Sequence, residues 1–599
     1  MSARTMYAVL EETARDHAAA PALHQPLGKG KYRTYNWTEY RDAVREVACG
    51  LDRLGIRKGE IVALYCETRA EFYLADMGII SRGAIAAALY TSYPVHELIT
   101  NLRNSRPRAV FCENAKGMQA LVAAGGEPAL AEHFIVLTGE AAPGALTLDQ
   151  LREMGRKAMA EDAKVFDRIR SEYDSTDDAI LYLTSGATGE PKMGLVTHDA
   201  LVTNIDQGPA VLPLQPYDTT IAFLPSAHIA QRVVLELLPI RQAVAVYFSE
   251  SLARLPNELK TIRPSFLLAP PRVWERIFAS INTEIRKKSG FARQLFHGAL
   301  GLGAEAARLR EAAKPVPGWM QTSLKVANKL VFSKIRERLG GRIRIAASGA
   351  APLGKELASF FAAIGMPLIE GYGLTEGGVL CLNPIDRPKA GSIGKPLPLV
   401  KVKLAEDGEL LASSPTLFRG YFNDPVSTAS VLKDGWLYTG DIAEIDPEGY
   451  VYITGRKKEL IVSSNGKKIY PSRIEGLFKT EPLINQMVLI GDRLPYVTAL
   501  FTINTNQAEQ LKGMEGMKGK EGREISLAAP VTEHIQQAVS KVNKQLAGFE
   551  QIRRFRILER EFTIEAGEVT PTMKVRRNRV LENHRDLISD LYVGKEESQ

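Results

Sequence analysis

In the first half of the chain, short apolar runs alternate with segments of helical periodicity. Residues 61–66 have the length and composition of a buried strand, and residues 71–81 have the pattern of a helix. Strands that alternate with helices form parallel sheets with helices packed on their faces. We therefore predict an α/β fold with two helix-covered sheets, and the same pattern continues at 84–90, 95–104, 108–112, 219–224, 243–248 and 265–269.

The length of the chain requires more than one domain, because a single hydrophobic core stops growing near about 250–300 residues. Residues 391–454 contain short strands and turns, which predicts a small β-barrel-like subdomain. The segment after Gly455 has a mixed α+β pattern. We therefore predict a large N-terminal domain at residues 1–455 and a smaller, mobile α+β C-terminal domain at residues 456–599.

The composition is that of an ordinary soluble protein, with 45% hydrophobic and 24% charged residues. The four cysteines are far apart and the nine histidines form no ligand-spaced cluster, so we expect a reducing, cytoplasmic environment without disulfides. The net charge of +7 suits anionic small molecules, and the basic residues are too dispersed for a nucleic-acid partner. We expect neither a signal peptide nor a membrane span.

A helical insert of about residues 281–339 is rich in Arg and Lys with interleaved aromatic residues. One interpretation is an amphipathic segment that packs on the main body. The other is peripheral contact with a membrane surface, for which the candidates are Arg286, Lys287, Lys288, Phe291, Phe296, Trp319 and Phe332. Both interpretations stay open, as does the choice between a monomer and a homodimer.

The loop at residues 184–192 reads Thr-Ser-Gly-Ala-Thr-Gly-Glu-Pro-Lys and follows the apolar run 179–183. Glycines let backbone amides approach a ligand closely, and hydroxyls add hydrogen-bond donors. The loop is not a Walker A sequence, which requires Gly-Lys followed by Ser or Thr. We predict that it holds phosphate, and the candidate ligands are Thr184, Ser185, Gly186, Thr188, Gly189 and Lys192.

Further motifs follow this loop in a fixed order. They are Phe-Leu-Pro-Ser-Ala-His-Ile at 223–229, Ser-Gly-Ala-Ala-Pro-Leu at 348–353, Glu-Gly-Tyr-Gly-Leu-Thr-Glu at 370–376, Gly-Glu-Leu at 408–410, Tyr-Thr-Gly-Asp at 438–441, Gly-Arg-Lys-Lys-Glu at 455–459, Asn-Gly-Lys-Lys-Ile-Tyr-Pro at 465–471 and Pro-Thr-Met-Lys at 571–574. Over about residues 30–580 the chain resembles the AMP-forming acyl-adenylate superfamily of acyl-CoA synthetases, luciferases and nonribosomal adenylation domains. The segment 270–276 and the helical insert resemble its long-chain fatty-acid branch.

The resemblance implies that the chain activates a fatty acid, with ATP and Mg²⁺, to an acyl-adenylate. The acyl group then passes to coenzyme A, and AMP and pyrophosphate are released. Two related activities stay open: a fatty acyl-AMP ligase that loads a carrier protein, and a medium-chain or aryl acyl-CoA synthetase. A catalytically silent lipid- or nucleotide-binding protein of the same fold is the non-enzymatic alternative.

For catalysis, the resemblance implies roles for Lys574, Thr375, Glu376 and His228. Adenylation brings a carboxylate to a phosphate, so it depends on positioning and on electrostatic stabilisation. Lys574 would bridge the two anions, and Thr375 would contact the α-phosphate. Glu376 supplies a hard oxygen ligand for Mg²⁺. His228 would line the acyl and pantetheine end of the site, although a single histidine is often structural.

For the nucleotide, the resemblance implies a second set of residues. Tyr372 would stack on adenine, Asp441 would accept the ribose hydroxyls from a Thr-Gly turn, and Arg456 would also reach the ribose. Lys458 matches the hinge about which the C-terminal domain rotates between half-reactions. The remaining members are backbone positions that approach the adenine, Ser348, Gly349, Ala350, Gly371 and Gly373, and a position in the C-terminal loop that replaces Lys574, Gly466.

Three residues depart from the family pattern. Ala187 stands where Thr or Ser is usual, Met193 replaces a common glycine, and Gln231 takes a position that is often acidic in the long-chain branch. None removes an essential charge, and loss of one neutral hydrogen bond costs about 1 kcal/mol. We therefore expect the activity to be retained.

Overall fold

Helix-covered sheets make up most of the chain in a computed structural model, which describes residues 4–126, 129–183, 192–464, 466–509, 511, 514, 522–570 and 574–593. The predicted α/β class is confirmed, with a large N-terminal domain and a smaller C-terminal domain. The exact boundary between them, at residues 455 and 456, stays a prediction. No helix in the described ranges is long and apolar enough to cross a bilayer.

The strands are numbered in chain order. They are β1 Pro21–Gly28, β2 Lys31–Asn36, β3 Ile61–Tyr65, β4 Ile85–Ala88, β5 Ala109–Cys112, β6 His133–Val136, β7 Leu146–Thr147, β8 Asp178–Leu183, β9 Met193–Thr197, β10 Thr219–Ala222, β11 Ala245–Phe248, β12 Phe266–Ala269, β13 Ile345–Ser348, β14 Leu368–Leu374, β15 Gly378–Leu382, β16 Lys395–Pro396, β17 Lys401–Leu404, β18 Glu409–Ser413, β19 Gly420–Tyr421, β20 Leu432–Lys433, β21 Trp436–Ile445, β22 Val451–Arg456, β23 Ile461–Val462, β24 Lys468–Ile469, β25 Ile484–Ile490, β26 Val497–Ile503 and β27 Ile552–Ile557.

The helices are numbered in the same way. They are α1 Met6–Asp16, α2 Trp37–Arg53, α3 Ala70–Ser81, α4 Val95–Ser105, α5 Ala115–Gly125, α6 Leu148–Glu161, α7 Val165–Ser171, α8 His198–Asp206, α9 Gly208–Val211, α10 Leu238–Gln242, α11 Leu255–Ile262, α12 Pro271–Arg286, α13 Gly290–Glu311, α14 Gly318–Ala327, α15 Ser333–Glu337, α16 Lys355–Ala363, α17 Pro425–Val431, α18 Pro471–Gly476, α19 Thr505–Ala508, α20 Gly522–Ser526, α21 Ala529–Asn543, α22 Arg577–Asn583 and α23 Arg585–Asp590. Two π-helical segments, Gln231–Leu237 and Asn328–Phe332, and a 3₁₀ turn, Lys457–Glu459, complete the helical structure.

The first large sheet has eight strands in the order β19-β9-β8-β4-β3-β5-β6-β7. Strands β3 to β8 pair in parallel, whereas β9 and β19 are antiparallel. The expectation of purely parallel sheets is therefore wrong at this edge. The physical reason is the connection between β8 and β9, which is too short for a parallel crossover and joins antiparallel neighbours instead.

The second sheet region consists of two groups, β10-β11-β1-β2 and β12-β13-β14-β15-β16. The groups meet at Thr219 and Ser265, where the Ser265 amide donates to the Thr219 carbonyl at 3.0 Å. This region is also mixed, because β2, β15 and β16 pair antiparallel with their neighbours. Its parallel centre, β12-β13-β14, carries two of the predicted site motifs at the ends of the strands.

The β-rich segment forms an antiparallel sheet of β17, β18, β20, β21 and β22. The long strand β21 pairs with three neighbours, β18, β20 and β22. In the C-terminal domain, β25, β26 and β27 form a sheet, and helix α21 packs on it through apolar residues such as Ile535 and Val539. In the sequence, the strands of the β-rich sheet therefore come after most strands of the two large sheets and before the C-terminal domain.

Helices α2 and α6 pack unusually closely because glycines occupy their contact. A Cβ atom on Gly155 would lie 1.9 Å from the carbonyl oxygen of Glu46, and one on Gly50 would lie 2.3 Å from that of Leu151. Backbone atoms of both helices therefore occupy the space that a methyl group would need. By contrast, Gly298 of α13 has no atom within 4 Å of its Cβ position.

We predict opposite effects of alanine at two helical glycines. Gly155→Ala should lower the free energy of unfolding by about 1–3 kcal/mol, because the added methyl group forces the helices apart. Gly298→Ala should leave it unchanged or raise it by up to about 1 kcal/mol, because alanine has the higher helix propensity. Denaturant unfolding of both variants measures the difference, and equal effects at the two positions would contradict the close packing.

Candidate active site

The predicted phosphate loop connects two strands at the edge of the eight-stranded sheet. Strand β8 ends at Leu183, β9 begins at Met193, and these two residues pair with each other. The predicted ligands Thr184, Ser185, Gly186, Thr188 and Gly189 lie outside the described residues. Lys192 is described, and its Nζ donates to Ser427 Oγ at 2.8 Å and lies 4.8 Å from the ring centre of Tyr421.

Tyr421 joins Lys192 to the predicted catalytic pair Thr375 and Glu376. Its hydroxyl donates to Glu376 Oε1 at 2.6 Å, and burial together with the Glu376 charge raises the pKa of Tyr421. Strand β19 pairs Tyr421 with Gly194, and Thr375 Cγ2 lies 3.2 Å from the Cβ position of Gly194. The sequence pattern around Tyr421 indicated only a turn, so this contact could not be read from it.

Asp441 is held between two other predicted site residues. Its Oδ2 accepts from the Tyr372 hydroxyl at 2.5 Å, and its Oδ1 lies 3.0 Å from Arg456 Nε. The antiparallel register of β21 and β22 places Asp441 directly opposite Arg456. Burial and the nearby Asp441 charge raise the pKa of Tyr372, so its hydroxyl stays a donor. Asp441, Tyr372 and Arg456 therefore meet as the sequence reasoning required.

The local structure at Asp441 differs from the predicted turn. Asp441 lies inside strand β21, just after Gly440, whose φ of 73° belongs to the left-handed region that favours glycine. The pairing of β18 with β21 is irregular here, so the segment is a bulge rather than a turn. The Gly440 amide donates to Glu409 Oε1 at 2.8 Å, and this bond holds the bulge.

Glu409 gives the Gly-Glu-Leu motif a physical role. Its carboxylate is buried and also accepts from Lys457 Nζ at 2.9 Å, so it links the Asp441 bulge to the chain just after Arg456. The neighbouring Lys458, the predicted hinge, is exposed in the 3₁₀ turn. Gly466 lies in the hairpin between β23 and β24, where its amide donates to the Ser463 carbonyl at 2.8 Å.

The predicted adenine segments lie at the ends of neighbouring strands. Ser348 ends β13, and its buried hydroxyl has no hydrogen-bond partner among the described residues. Ala350 has a φ of 69°, an uncommon conformation for a residue with a Cβ. Position 373 requires glycine because the backbone of Gly378 lies very close to it. A Cβ at Gly373 would lie 2.3 Å from the Gly378 carbonyl oxygen. Ser348, Gly349, Ala350, Gly371, Tyr372 and Gly373 all line one cavity.

This cavity is mostly apolar and extends from the Tyr372 segment between α8, the first π-helix and the second sheet region. Its other lining residues include His228, Ile229, Val233, Val234, Leu238, Leu268, Leu382 and Leu397. Trp274 is not among them. It is fully buried, and its Nε1 donates to the Ala269 carbonyl at 3.1 Å, so it packs in the core.

His228 is a hydrogen-bond donor at the cavity wall. The Ala230 amide donates to His228 Nδ1 at 3.1 Å, so the neutral ring carries its proton on Nε2. Burial, and secondarily the nearby charge of Lys574, lowers the pKa of His228 to about 3. The ring is therefore neutral at physiological pH and can donate from Nε2 to a group in the site.

Lys574 reaches the site from the C-terminal domain. Its carbonyl accepts from the Thr570 amide at 2.8 Å, which ties its backbone to Thr570. Burial, and secondarily the Arg456 charge, lowers the pKa of Lys574 to about 8, against the opposing influence of Asp441 and Glu376. The structure thus brings Lys574 together with His228, Asp441, Arg456 and Glu376. Arg576 and Glu97, with charged atoms 3.8 Å apart, also link the two domains.

The donor set at Glu376 fits a magnesium ion that is shared with a phosphate ligand. The described residues contain no cluster of three or more His, Cys, Asp or Glu side chains able to hold a metal. Mg²⁺ is commonly bound by one or two carboxylates, with its other positions filled by water and substrate phosphates. A single carboxylate close to Lys192 and Thr375 meets that requirement.

Two known protein family descriptions match the chain over most of its length. Residues 10–422 match the family described as AMP-binding enzyme, and residues 458–596 match the AMP-binding enzyme C-terminal domain. The chain belongs to the AMP-binding enzyme family. The two matches leave a gap at residues 423–457, which contains Asp441 and Arg456.

Curated relatives of this AMP-binding enzyme align over nearly the whole chain. Long-chain-fatty-acid–CoA ligase FadD15 of Mycobacterium bovis is 32% identical over 576 residues, which cover 95% of this chain and 94% of the relative. Human long-chain-fatty-acid–CoA ligase ACSBG2 is 27% identical over 607 residues, covering 96% and 90%. The predicted long-chain branch is confirmed by these similarities.

Solved structures share the fold at lower identity. The adenylation domain of a carboxylate reductase from Mycobacterium chelonae has a TM-score of 0.75 at 20% identity, covering 99% of this chain and 92% of that one. ATP-bound MatB from Rhodopseudomonas palustris has a TM-score of 0.69 at 22% identity, covering 97% and 99%. These similarities support the arrangement of a large N-terminal and a smaller C-terminal domain.

Proposed function

We propose that this AMP-binding enzyme is an AMP-forming acyl-CoA synthetase for long-chain fatty acids. The observation that carries the proposal is the position of Lys574, on the C-terminal domain, beside Asp441, Arg456 and Glu376 and near His228 at the apolar cavity. The full-length relatives named as long-chain-fatty-acid–CoA ligases support the same activity. ATP and coenzyme A are the co-substrates.

The reaction has two steps that share one site. In the first, a carboxylate oxygen of the fatty acid attacks the α-phosphorus of ATP, and the bond to the bridging β-phosphate oxygen breaks to release pyrophosphate. Lys574 places its ammonium between the two anions, which lowers their repulsion. In the second, the thiolate of coenzyme A attacks the acyl carbon, and AMP leaves with the electron pair of the broken C–O bond.

The other site residues bind and orient the nucleotide. Asp441 has one lone pair on each oxygen engaged by Tyr372 or Arg456 and keeps another for a ribose hydroxyl. Lys192 and the loop with Thr184, Ser185, Gly186, Thr188 and Gly189 bind the β- and γ-phosphates. Thr375 contacts the α-phosphate, and Glu376 would hold Mg²⁺, which supplies charge neutralisation when bound. Ser348, Gly349, Ala350, Gly371, Tyr372 and Gly373 surround the adenine.

The cavity offers an apolar path for a long acyl chain. Three of its residues, Val211, Leu382 and Leu397, also line an adjoining groove that is bordered by Pro213 and Ile385. An acyl chain that passed these shared residues would enter the groove. Burial of methylene groups contributes about 0.8 kcal/mol each, so a longer chain gains affinity along this path.

A carboxylate panel tests this activity. With ATP, Mg²⁺ and coenzyme A, we expect release of AMP and pyrophosphate and thioester formation, with kcat/KM higher for C16 and C18 acids than for C2 to C8 or aryl acids. Accumulation of acyl-adenylate with no use of coenzyme A would favour a carrier-protein ligase. A preference for short or aryl acids would favour the medium-chain or aryl alternative, and no AMP with any acid would favour a silent binding protein.

Substitution of Lys574 separates the two half-reactions. Lys574 is within electrostatic range of Arg456, Asp441 and Glu376, and we propose that rotation at Lys458 replaces it with the loop that contains Gly466 for thioester formation. Lys574→Ala should reduce adenylation by about 10²–10³-fold, because it removes a charge that stabilises the transition state. Thioester formation from supplied acyl-adenylate should persist. The exposed Lys544→Ala is the control, and equal loss of both half-reactions would contradict domain rotation.

The helical insert carries the net positive charge of the chain. Residues 281–340 contain twelve Lys and Arg and four Glu, a net charge of +8, so the rest of the chain is at −1. Apolar side chains are exposed in the same segment, with Phe291 at 78% and Trp319 at 66%. Buried contacts through Phe296 and Phe332 fix these helices on the main body. We propose that this surface contacts an anionic membrane.

Vesicle binding tests the membrane contact. The full chain should sediment with vesicles of phosphatidylglycerol and phosphatidylcholine but not with phosphatidylcholine alone. Lys325→Glu combined with Lys329→Glu should weaken binding about tenfold or more, since each basic residue near an anionic surface contributes about 1 kcal/mol. Lys116→Glu combined with Lys401→Glu is the matched control at exposed positions elsewhere. Equal loss of vesicle binding in the two double variants would indicate that only the net charge of the protein matters. That result would refute a specific membrane-binding surface.

A further inference from the structure

A buried charge cluster lies behind the wall of the apolar cavity. It consists of Asp76 of α3 and of Arg232 and Glu236, both on the π-helix Gln231–Leu237, and each residue is at most 1% exposed. Arg232 Nε donates to Asp76 Oδ2 at 3.0 Å, and its Nη2 donates to Asp76 Oδ1. The two reaction steps described above use none of these three side chains.

Charge balance assigns a proton to Glu236. The cluster has two carboxyl groups and one guanidinium, and neither oxygen of Glu236 has a hydrogen-bond partner among the described residues. A buried carboxyl group without a partner is far less costly when it is neutral. Arg232 pairs with Asp76, so Asp76 is the ionised partner and Glu236 is neutral. Burial, and secondarily the Asp76 charge, raises the pKa of Glu236 accordingly.

The π-helix divides its residues between the cavity and the cluster. Val233 and Val234 line the cavity, as do the flanking residues Ile229, Ala230 and Leu238. Arg232 donates to Asp76 of α3 instead, and Glu236 interacts electrostatically with the same carboxyl group. A π-helix has more residues per turn than an α-helix and is frequent at functional sites. Because the turn is wider, successive pairs of residues face the cavity and the charge cluster in turn.

Further bonds tie the segment that contains His228 to α3 and to the eight-stranded sheet. Gln231 Nε2 donates to the Tyr73 hydroxyl at 2.8 Å, and Gln231 Oε1 accepts from the Leu224 amide at 3.2 Å. The Tyr73 hydroxyl donates to the Leu235 carbonyl at 2.8 Å. The Arg232 guanidinium lies 5.6 Å from the ring centre of Tyr182, which is two residues before the start of the phosphate loop.

We propose that Asp76 and Arg232 are positioning residues for the acyl chain. Through the π-helix they fix how Val233, Val234 and the Nε2–H of His228 face the cavity. Apolar side chains make no directional bonds, so the register of this wall is set by the hydrogen bonds behind it. The inference rests on the proposed function, because it takes the cavity as the acyl site.

Paired Arg→Lys variants test the positioning role. Lysine keeps the charge of Arg232 but loses the forked geometry of its bonds. Arg232→Lys should raise both the KM and the dissociation constant for palmitate about tenfold, since small displacements in a site cost this much or more, with KM for ATP within about twofold of wild type. Arg82 is equally buried and pairs with Asp52 and Glu172, outside the cavity lining. Arg82→Lys should lower Tm without changing the KM or the dissociation constant for palmitate.

Carboxyl variants test the assigned proton. Glu236→Gln preserves a neutral side chain of the same size, so palmitate binding should stay within about twofold of wild type. Asp76→Asn removes the carboxylate that accepts both Arg232 bonds and should reproduce the effect of Arg232→Lys. If Asp76→Asn does not fold, the comparison of Arg232→Lys with Glu236→Gln carries the test.

The outcomes separate this inference from the proposed function. Lower Tm with an unchanged KM for palmitate in Arg232→Lys would show a structural role only and would overturn the inference. Equal damage from Glu236→Gln would show that Glu236 is ionised and would overturn the proton assignment. Failure of the wild-type protein to bind or activate any fatty acid would instead refute the proposed function.

Discussion

The contact of Asp441 with Tyr372 and Arg456 is the interaction on which the site depends. It joins β14 of the second sheet region to β21 and β22 of the β-rich sheet, so it fixes one sheet against the other. A buried carboxylate must be paired to be stable, and here both of its oxygens have partners. Because Arg456 directly precedes the 3₁₀ turn Lys457–Glu459, the same contact also fixes the start of that turn.

Burial away from water determines the protonation states of Lys574 and His228. When the C-terminal domain is in the pose described here, burial lowers the pKa values of both side chains. His228 is therefore neutral and does not act as a second cation. Lys574, with a pKa near 8, retains most of its positive charge at neutral pH. A lysine held close to another cation and out of water gains stability when anions enter. The site is therefore electrostatically prepared for a carboxylate and a phosphate.

The alternation of strands and helices predicted the centres of the sheets well. Strands β3, β4, β5 and β12 lie within one or two residues of the expected ranges, because their apolar runs are continuous and bounded by turns. The antiparallel edges were not predicted, since strand direction follows from connections and pairing rather than from composition. Asp441 was placed in a turn because Thr-Gly-Asp is typical of turns, and a bulge inside a strand gives the same local pattern.

Contacts between distant residues explain most of what the sequence could not reveal. Tyr421 and Glu376 are 45 positions apart, and Asp76 and Arg232 are 156 apart, so no local pattern connects them. The motifs identified the residues that we propose meet the ligands, because those residues occur in ordered groups. The residues that hold the groups in place are single side chains on other elements, and only folding brings them together.

The two kinds of contact also place different demands on the chain. Lys192 and Lys574, which we propose contact the substrates, lie at the end of a loop and on the C-terminal domain, and function is commonly carried by such connecting segments. Asp76 and Arg232 never meet water in the folded chain, and their low-dielectric surroundings strengthen the bonds between them. A rigid charge cluster on one side of the π-helix thus gives an apolar wall on the other side a defined position. The cavity can then distinguish acyl chains by shape, which apolar contacts alone would leave loosely specified.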